Sequence, residues 1–138
     1  YLGVMYAKGQ IVPQSNQKAI EWYLKAAEQG LAIAQFNLGG MYANGQGVPQ
    51  NYEKAIEWYL KAAEQGNADA QNNLGFMYDY GKGIPQNYQK AYFWYSISAA
   101  NGLENAAKWR DEILEKMTPQ QIAETQEEAQ KWFDEHKK

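Results

Sequence analysis

Residues 67–102 read NADAQNNLGFMYDYGKGIPQNYQKAYFWYSISAANG, and this stretch decides the fold. Ala70, Leu74, Met77 and Tyr78 fall at i, i+4, i+7 and i+8, which puts them on one face of a helix. Asn67 stands where an N-cap belongs. Gly81 ends the pattern, as a residue in the left-handed region just past a helix does. The loop Gly81-Lys82-Gly83-Ile84-Pro85-Gln86 joins two permissive glycines to one rigid proline. Asn87 then caps a second helix that runs to Asn101, with Gly102 as its stop. Ala91, Trp94, Tyr95, Ser98 and Ala99 form its inward stripe. The small residues Gly75, Ala91 and Ala99 let the two helices approach and leave room for the Trp and Tyr rings.

The same unit is copied along the chain. A step of 36 links Leu2, Leu38 and Leu74, then Gly3, Gly39 and Gly75, then Tyr6, Tyr42 and Tyr78. It also links Pro13, Pro49 and Pro85, and the pairs Trp22-Tyr23, Trp58-Tyr59 and Trp94-Tyr95. Gly30, Gly66 and Gly102 close the units. Register kept at so many positions denotes one helix-pair motif repeated along the chain. The Trp-Tyr pairs read as core because they recur.

The pattern A-x-A-Q-x-x-L-G-x-x-Y-x-x-G-x-G-V-P-Q-x-x-x-K-A-x-x-W-Y-x-K-A-A-E-Q-G runs almost in full from Ala32 to Gly66, and again from Ala68 with drift in its second half. It resembles the Sel1-like repeat, a relative of the tetratricopeptide repeat, over roughly residues 1–110. The resemblance implies an all-α, right-handed solenoid of antiparallel helix pairs. It also implies a non-catalytic scaffold or adaptor for other proteins, bacterial, in the periplasm, cell envelope or cytoplasm. On this reading the solenoid occupies 1–117, with a partial repeat 1–30, repeats 31–66 and 67–102, and a half repeat 103–117. A capping helix follows at 118–138. The chain has no Cys, which sets it apart from the cysteine-rich branch of the family. The first repeat opens inside a helix at Tyr1, so a fragment is expected, with any signal peptide upstream. Ile11 replaces Gly47 and Gly83, and a different backbone is expected in that loop.

Composition excludes other classes. The 138 residues carry a net charge of −3, which argues against binding nucleic acid through phosphates. Mean hydropathy is −0.72, and no run approaches the roughly 18–20 apolar residues of a membrane span. The 5 Trp, 11 Tyr and 4 Phe speak for a folded chain. No cofactor or metal is expected, since His136 is the only histidine. Ser15 and Lys18 match the S-x-x-K motif of penicillin-recognising enzymes. Their repeat-mates are Asn51 and Asn87 for Ser15, and Lys54 and Lys90 for Lys18, so they read as a helix cap and an outer-face lysine. Gly45-Gln46-Gly47 and Gly81-Lys82-Gly83 read as turns rather than phosphate loops.

Two surfaces remain as candidates for function. In the first helix of each unit, the positions opposite the core change from unit to unit: Val4, Gly40, Phe76; Lys8, Asn44, Tyr80; Ile33, Asp69, Asn105; Phe36, Asn72, Lys108. Asn37, Asn73 and Trp109 lie on the same stripe. In related solenoids first helices line the concave side. A stripe of Phe, Tyr, Trp, Asn and Asp there suits a groove for a protein or peptide, with aromatic anchors among polar readers. The other surface lies on the second helices. Lys54, Glu57, Lys61 and Glu64 give way in the next unit to Lys90, Phe93, Ile97 and Ala100. Thr118-Pro119-Gln120-Gln121 opens a final helix with a capping box. That helix is expected to lay Trp132 and Phe133 on Phe93 and Ile97 and leave a monomer. The competing reading is a homodimer through the same face. Two other functions stay open: an immunity or inhibitor protein against a toxic enzyme, and, less favoured, a lactam-binding or lactam-hydrolysing enzyme.

Overall fold

The computed structural model describes residues 13–136. Val4, Lys8 and the loop at Ile11 lie outside the described residues. The described chain holds seven α-helices and one 3-10 helix, with no strand among the described residues. It falls into two compact units, residues 1–67 and 68–138.

The first unit contains α1 (Pro13–Glu28), α2 (Ala32–Asn44) and α3 (Tyr52–Glu64), with α2 packed on both neighbours. Its core gathers Ala19, Tyr23, Ala26, Ala27, Ala34, Leu38 and Met41, with Trp58 against it. Gly45 ends α2 in the left-handed region at φ 69° and donates its N–H to the Met41 carbonyl. Asn51 opens α3, its side chain accepting from the Lys54 N–H at 3.1 Å.

The second unit repeats this plan and extends it. It contains α4 (Ala68–Tyr80), α5 (Tyr88–Ala100), α6 (Glu104–Glu112), a 3-10 turn (Leu114–Lys116) and α7 (Pro119–Glu135). Its core joins Ala91, Tyr92, Tyr95, Ala106, Ile113 and Met117. Gly81 has φ 66°, and Asn87 caps Lys90 at 3.1 Å. The half repeat 103–117, which its repeat-mates read as a single first helix, is α-helical only from Glu104 to Glu112. The 3-10 turn that follows lets Ile113 and Met117 both reach the core. Pro119 also disfavours helical backbone at Thr118, which is extended at φ −78°, ψ 156°. The capping box of α7 is formed: Thr118 Oγ1 accepts from the Gln121 N–H, and Gln121 Oε1 accepts from the Thr118 N–H.

Helix α7 packs on α5. Ile97 is fully buried and Phe93 half-buried. The α5 ring in contact with Trp132 is Trp94, edge-on at 6.4 Å, and Phe93 lies edge-on to the same Trp94 at 5.0 Å. Gln126 Nε2 donates to the Tyr92 hydroxyl at 3.2 Å, tying α7 to α5.

Two parts of the repeat pattern acquire physical roles. Gly39 and Gly75 are the places where a Tyr ring crosses the first helix. A Cβ on Gly75 would stand 2.6 Å from the Tyr95 ring, and one on Gly39 would stand 2.8 Å from the Tyr59 ring. The buried glutamines act as polar staples. Gln35 Nε2 donates to the Ala27 carbonyl at 3.1 Å, while its Oε1 accepts from Gln65 Nε2 at 2.8 Å. Gln71 Oε1 accepts from Asn101 Nδ2 at 2.9 Å in the second unit.

Candidate functional site

The exposed aromatic surface of the second unit is built on a buried polar contact. Tyr95 lies over Gly75, and its hydroxyl donates to Asp79 Oδ2 at 3.1 Å. Asp79 occupies the position that Ala43 holds one unit earlier. Burial raises the Asp79 carboxyl above its ordinary range, the Tyr95 hydrogen bond and Lys116 oppose that rise, and Glu112 adds to it. Burial, then the Asp79 charge, pushes the Tyr95 phenol up, so it stays a neutral donor.

Three more rings belong to the helices that hold this contact or pack beside them. Trp109, from α6, lies tilted against Tyr95 with centroids 6.2 Å apart. Phe76 and Tyr80, one turn apart on α4, meet at 4.7 Å. All three reach solvent: Phe76 is 45% exposed, Tyr80 62% and Trp109 37%. Asp69 and Lys108 are exposed, while Asn72 and Asn73 are half-buried. Asn72 Oδ1 is shielded from solvent and accepts no hydrogen bond.

The first unit distributes its rings differently. Phe36, at the position of Asn72, is half-buried with its ring tilted against Tyr59 at 5.8 Å. The ring beside this tyrosine therefore comes from α2 itself, and the position of Phe76 is taken by Gly40. Asn44 is exposed. Ile33 and Asn37 belong to an apolar pocket of about 590 Å³ that also includes Trp22, Tyr23 and Leu31.

Trp22 corrects the reading of every Trp-Tyr pair as core. It is 40% exposed, whereas Trp94 is 6% exposed. Phe93 and Trp132 both lie edge-on to Trp94, whereas Trp22 lies edge-on to its neighbour Tyr23 at 5.6 Å. Sequence reasoning missed Trp22 and Leu31 as surface. The available signal was that Leu31 and Ile33 are apolar where the next unit has Asn67 and Asp69.

Other candidates hold ordinary positions. His136 stacks on Trp132 at 3.8 Å, and its Nδ1 is 2.7 Å from the Trp132 carbonyl. Lys18 is exposed on α1. Among the described residues, no three His, Cys, Asp or Glu side chains gather as a metal site. No helix among them is long and apolar enough to cross a membrane.

A sequence model of the Sel1 repeat matches residues 1–31, 32–67 and 68–103. The fold is similar to that of a protective antigen from uropathogenic Escherichia coli strains, described as displaying an SLR fold. The TM-score is 0.90 at 33% identity, over 98% of this chain and 29% of that one. It is also similar to a Sel1 repeat protein from Oxalobacter formigenes, with a TM-score of 0.69 at 46% identity over 75% of this chain and 43% of that one. The chain thus spans less than half the length of either structure. No curated protein matches it.

Proposed function

The chain belongs to the Sel1 repeat family, whose folds generally serve as protein–protein interaction scaffolds, and on that premise we propose that it binds a protein or peptide through the outward faces of its first helices. The observation that carries this reading is the set of solvent-exposed rings Phe76, Tyr80 and Trp109 on α4 and α6. Folding removes most large apolar rings from water, and exposed clusters of them mark recognition surfaces. Aromatic residues also dominate the energetics of such surfaces. The rings are held by packing: Trp109 leans on Tyr95, and Tyr95 is fixed by Gly75 and Asp79. A surface ordered before binding loses less side-chain entropy when the partner arrives.

In the first unit, Ile33, Asn37, Leu31 and Trp22 offer a separate apolar pocket for a side-chain anchor. On this reading Asp69, Asn72 and Asn73 supply polar contacts, and α7 seals the Ile97 and Trp94 face of the second unit.

The test is affinity capture from an extract of the source bacterium, with the wild-type chain and the Phe76→Ala/Tyr80→Ala chain as parallel baits. Proteins retained by the first and absent from the second support recognition through this face. Identical retention on both baits removes the face from the binding site.

A further inference from the structure

We propose that the Phe76, Tyr80 and Trp109 face receives an arginine side chain of the partner, with its guanidinium between the rings and the carboxylates of Asp79 and Glu112. This deepens the protein-recognition reading and rests on it.

The first support is charge. Asp79 is 8% exposed, lies on α4 between Phe76 and Tyr80 in the chain, and has Tyr95, the ring that Trp109 leans on, as its hydrogen-bond donor. Glu112, exposed on α6, is near enough to act on both Asp79 and Tyr95. The charged and titratable groups around Asp79 are Tyr80 on α4, Tyr95 on α5, Glu112 on α6 and Lys116 on the 3-10 turn. Lys116 is the one cation among them, and its ammonium is already held 5.2 Å from the centre of the Tyr88 ring. Lys108 is exposed beside Trp109 and Arg110 is paired with Asp111 at 3.1 Å. The negative charge of Asp79, with that of Glu112 acting on the same site, is therefore the feature an incoming cation complements.

The second support is the rings. This chain places its own cations over aromatic faces elsewhere. Lys61 lies 4.6 Å above Trp58, Lys54 5.4 Å above Tyr42, and Lys90 5.4 Å above Tyr78. Among the described residues, no such cation is found over Phe76, Tyr80 or Trp109. These are exposed faces of the kind that attracts a guanidinium, and a desolvated cation–π contact is the stronger for the carboxylate behind it. Arginine suits the site better than lysine. Its planar head stacks on a ring while its N–H fork reaches a carboxylate. A leucine would use the rings and leave Asp79 buried without a counter-charge.

The experiment titrates the whole chain with N-acetyl-arginine methylamide and with the citrulline analogue, which has nearly the same shape and no charge. The readout is the Trp109 indole N–H resonance, identified by its loss in Trp109→Phe. The arginine probe should shift it saturably, and citrulline should bind at least roughly threefold more weakly. Glu112→Gln, at an exposed position, should weaken arginine binding toward the citrulline level and leave citrulline unchanged. Equal binding of both probes at Trp109 would overturn the arginine proposal while the recognition face stands. Shifts that bypass Trp109, or no shift at all, would also overturn it, and the capture comparison decides the wider reading separately.

Discussion

Gly39 and Gly40 are adjacent on α2, and the account assigns opposite signs to the same change at each. A Cβ on Gly39 would lie 2.8 Å from both Cδ1 and Cε1 of Tyr59 and 3.2 Å from the Ala55 carbonyl oxygen. Ordinary carbon contacts need about 3.5–4.0 Å, so the ring must retreat by roughly 1 Å. Tyr59 is only 4% exposed and has little room to retreat. Overpacking of this kind costs about 1–3 kcal/mol. Against it stands the helix preference for Ala over Gly, close to 1 kcal/mol. The net expectation for Gly39→Ala is a loss of up to about 2 kcal/mol. A Cβ on Gly40 would meet only the Tyr59 hydroxyl at 3.7 Å, an ordinary contact. Gly40→Ala should therefore stabilise by up to about 1 kcal/mol. Urea unfolding followed by both tryptophan fluorescence and circular dichroism measures the two, since repeat units can unfold separately. If Gly39→Ala matched or exceeded the stability of Gly40→Ala, the packing of Tyr59 on α2 described above would be wrong.

Gln35→Ala removes the donor to the Ala27 carbonyl and the acceptor for Gln65, and should cost about 1–3 kcal/mol in the same urea assay. Asp79 has its carboxyl raised by burial, so the folded state holds the proton more tightly than the unfolded chain. Its contribution to stability is therefore full below the ordinary carboxylate pKa and is lost as pH rises through the raised folded value. Asp79→Asn, whose amide oxygen can still accept from Tyr95, should be more stable than wild type at neutral pH. The difference should fade on acidification in thermal melts taken across the acid range. Thr118→Ala breaks the capping box of α7 and should cost about 1 kcal/mol by urea unfolding. Removing residues 118–138 should uncover Ile97 and Trp94 and cause concentration-dependent association by light scattering. A monodisperse, folded monomer after that truncation would contradict the sealing role of α7.

The step of 36 residues made the helices legible. It placed the glycine stops at Gly45 and Gly81 and the caps at Asn51 and Asn87, because those positions are read from local backbone requirements. The capping box at Thr118 was legible for the same reason. The end of α6 was not. Spacing alone carries a helix on to Met117, whereas the need to bury both Ile113 and Met117 draws the chain into a 3-10 turn. Burial of individual rings was also hidden. Trp22 and Trp94 occupy equivalent positions, yet Trp94 is enclosed by rings from elsewhere in its unit. The stripe containing Phe76, Tyr80 and Trp109 could be drawn from positions that vary between units. Its foundation could not, because Asp79 beneath Tyr95 is one substitution for Ala43, and only the fold brings the two side chains within a hydrogen bond. The glutamine staples lay in the repeat pattern from the outset, but their partners are 8 and 30 residues away.

The central claim is that a partner docks on rings that are not part of the core. Its most direct test is a calorimetric titration of the captured partner into wild type and into Phe76→Ala/Tyr80→Ala, with thermal unfolding of both chains measured in parallel. With Phe76 45% and Tyr80 62% exposed, the account predicts a loss of affinity of about 100-fold or more, typical of paired hot spots, with the melting temperature nearly unchanged. Unchanged affinity, or a large fall in melting temperature that accounts for the lost binding, would contradict it.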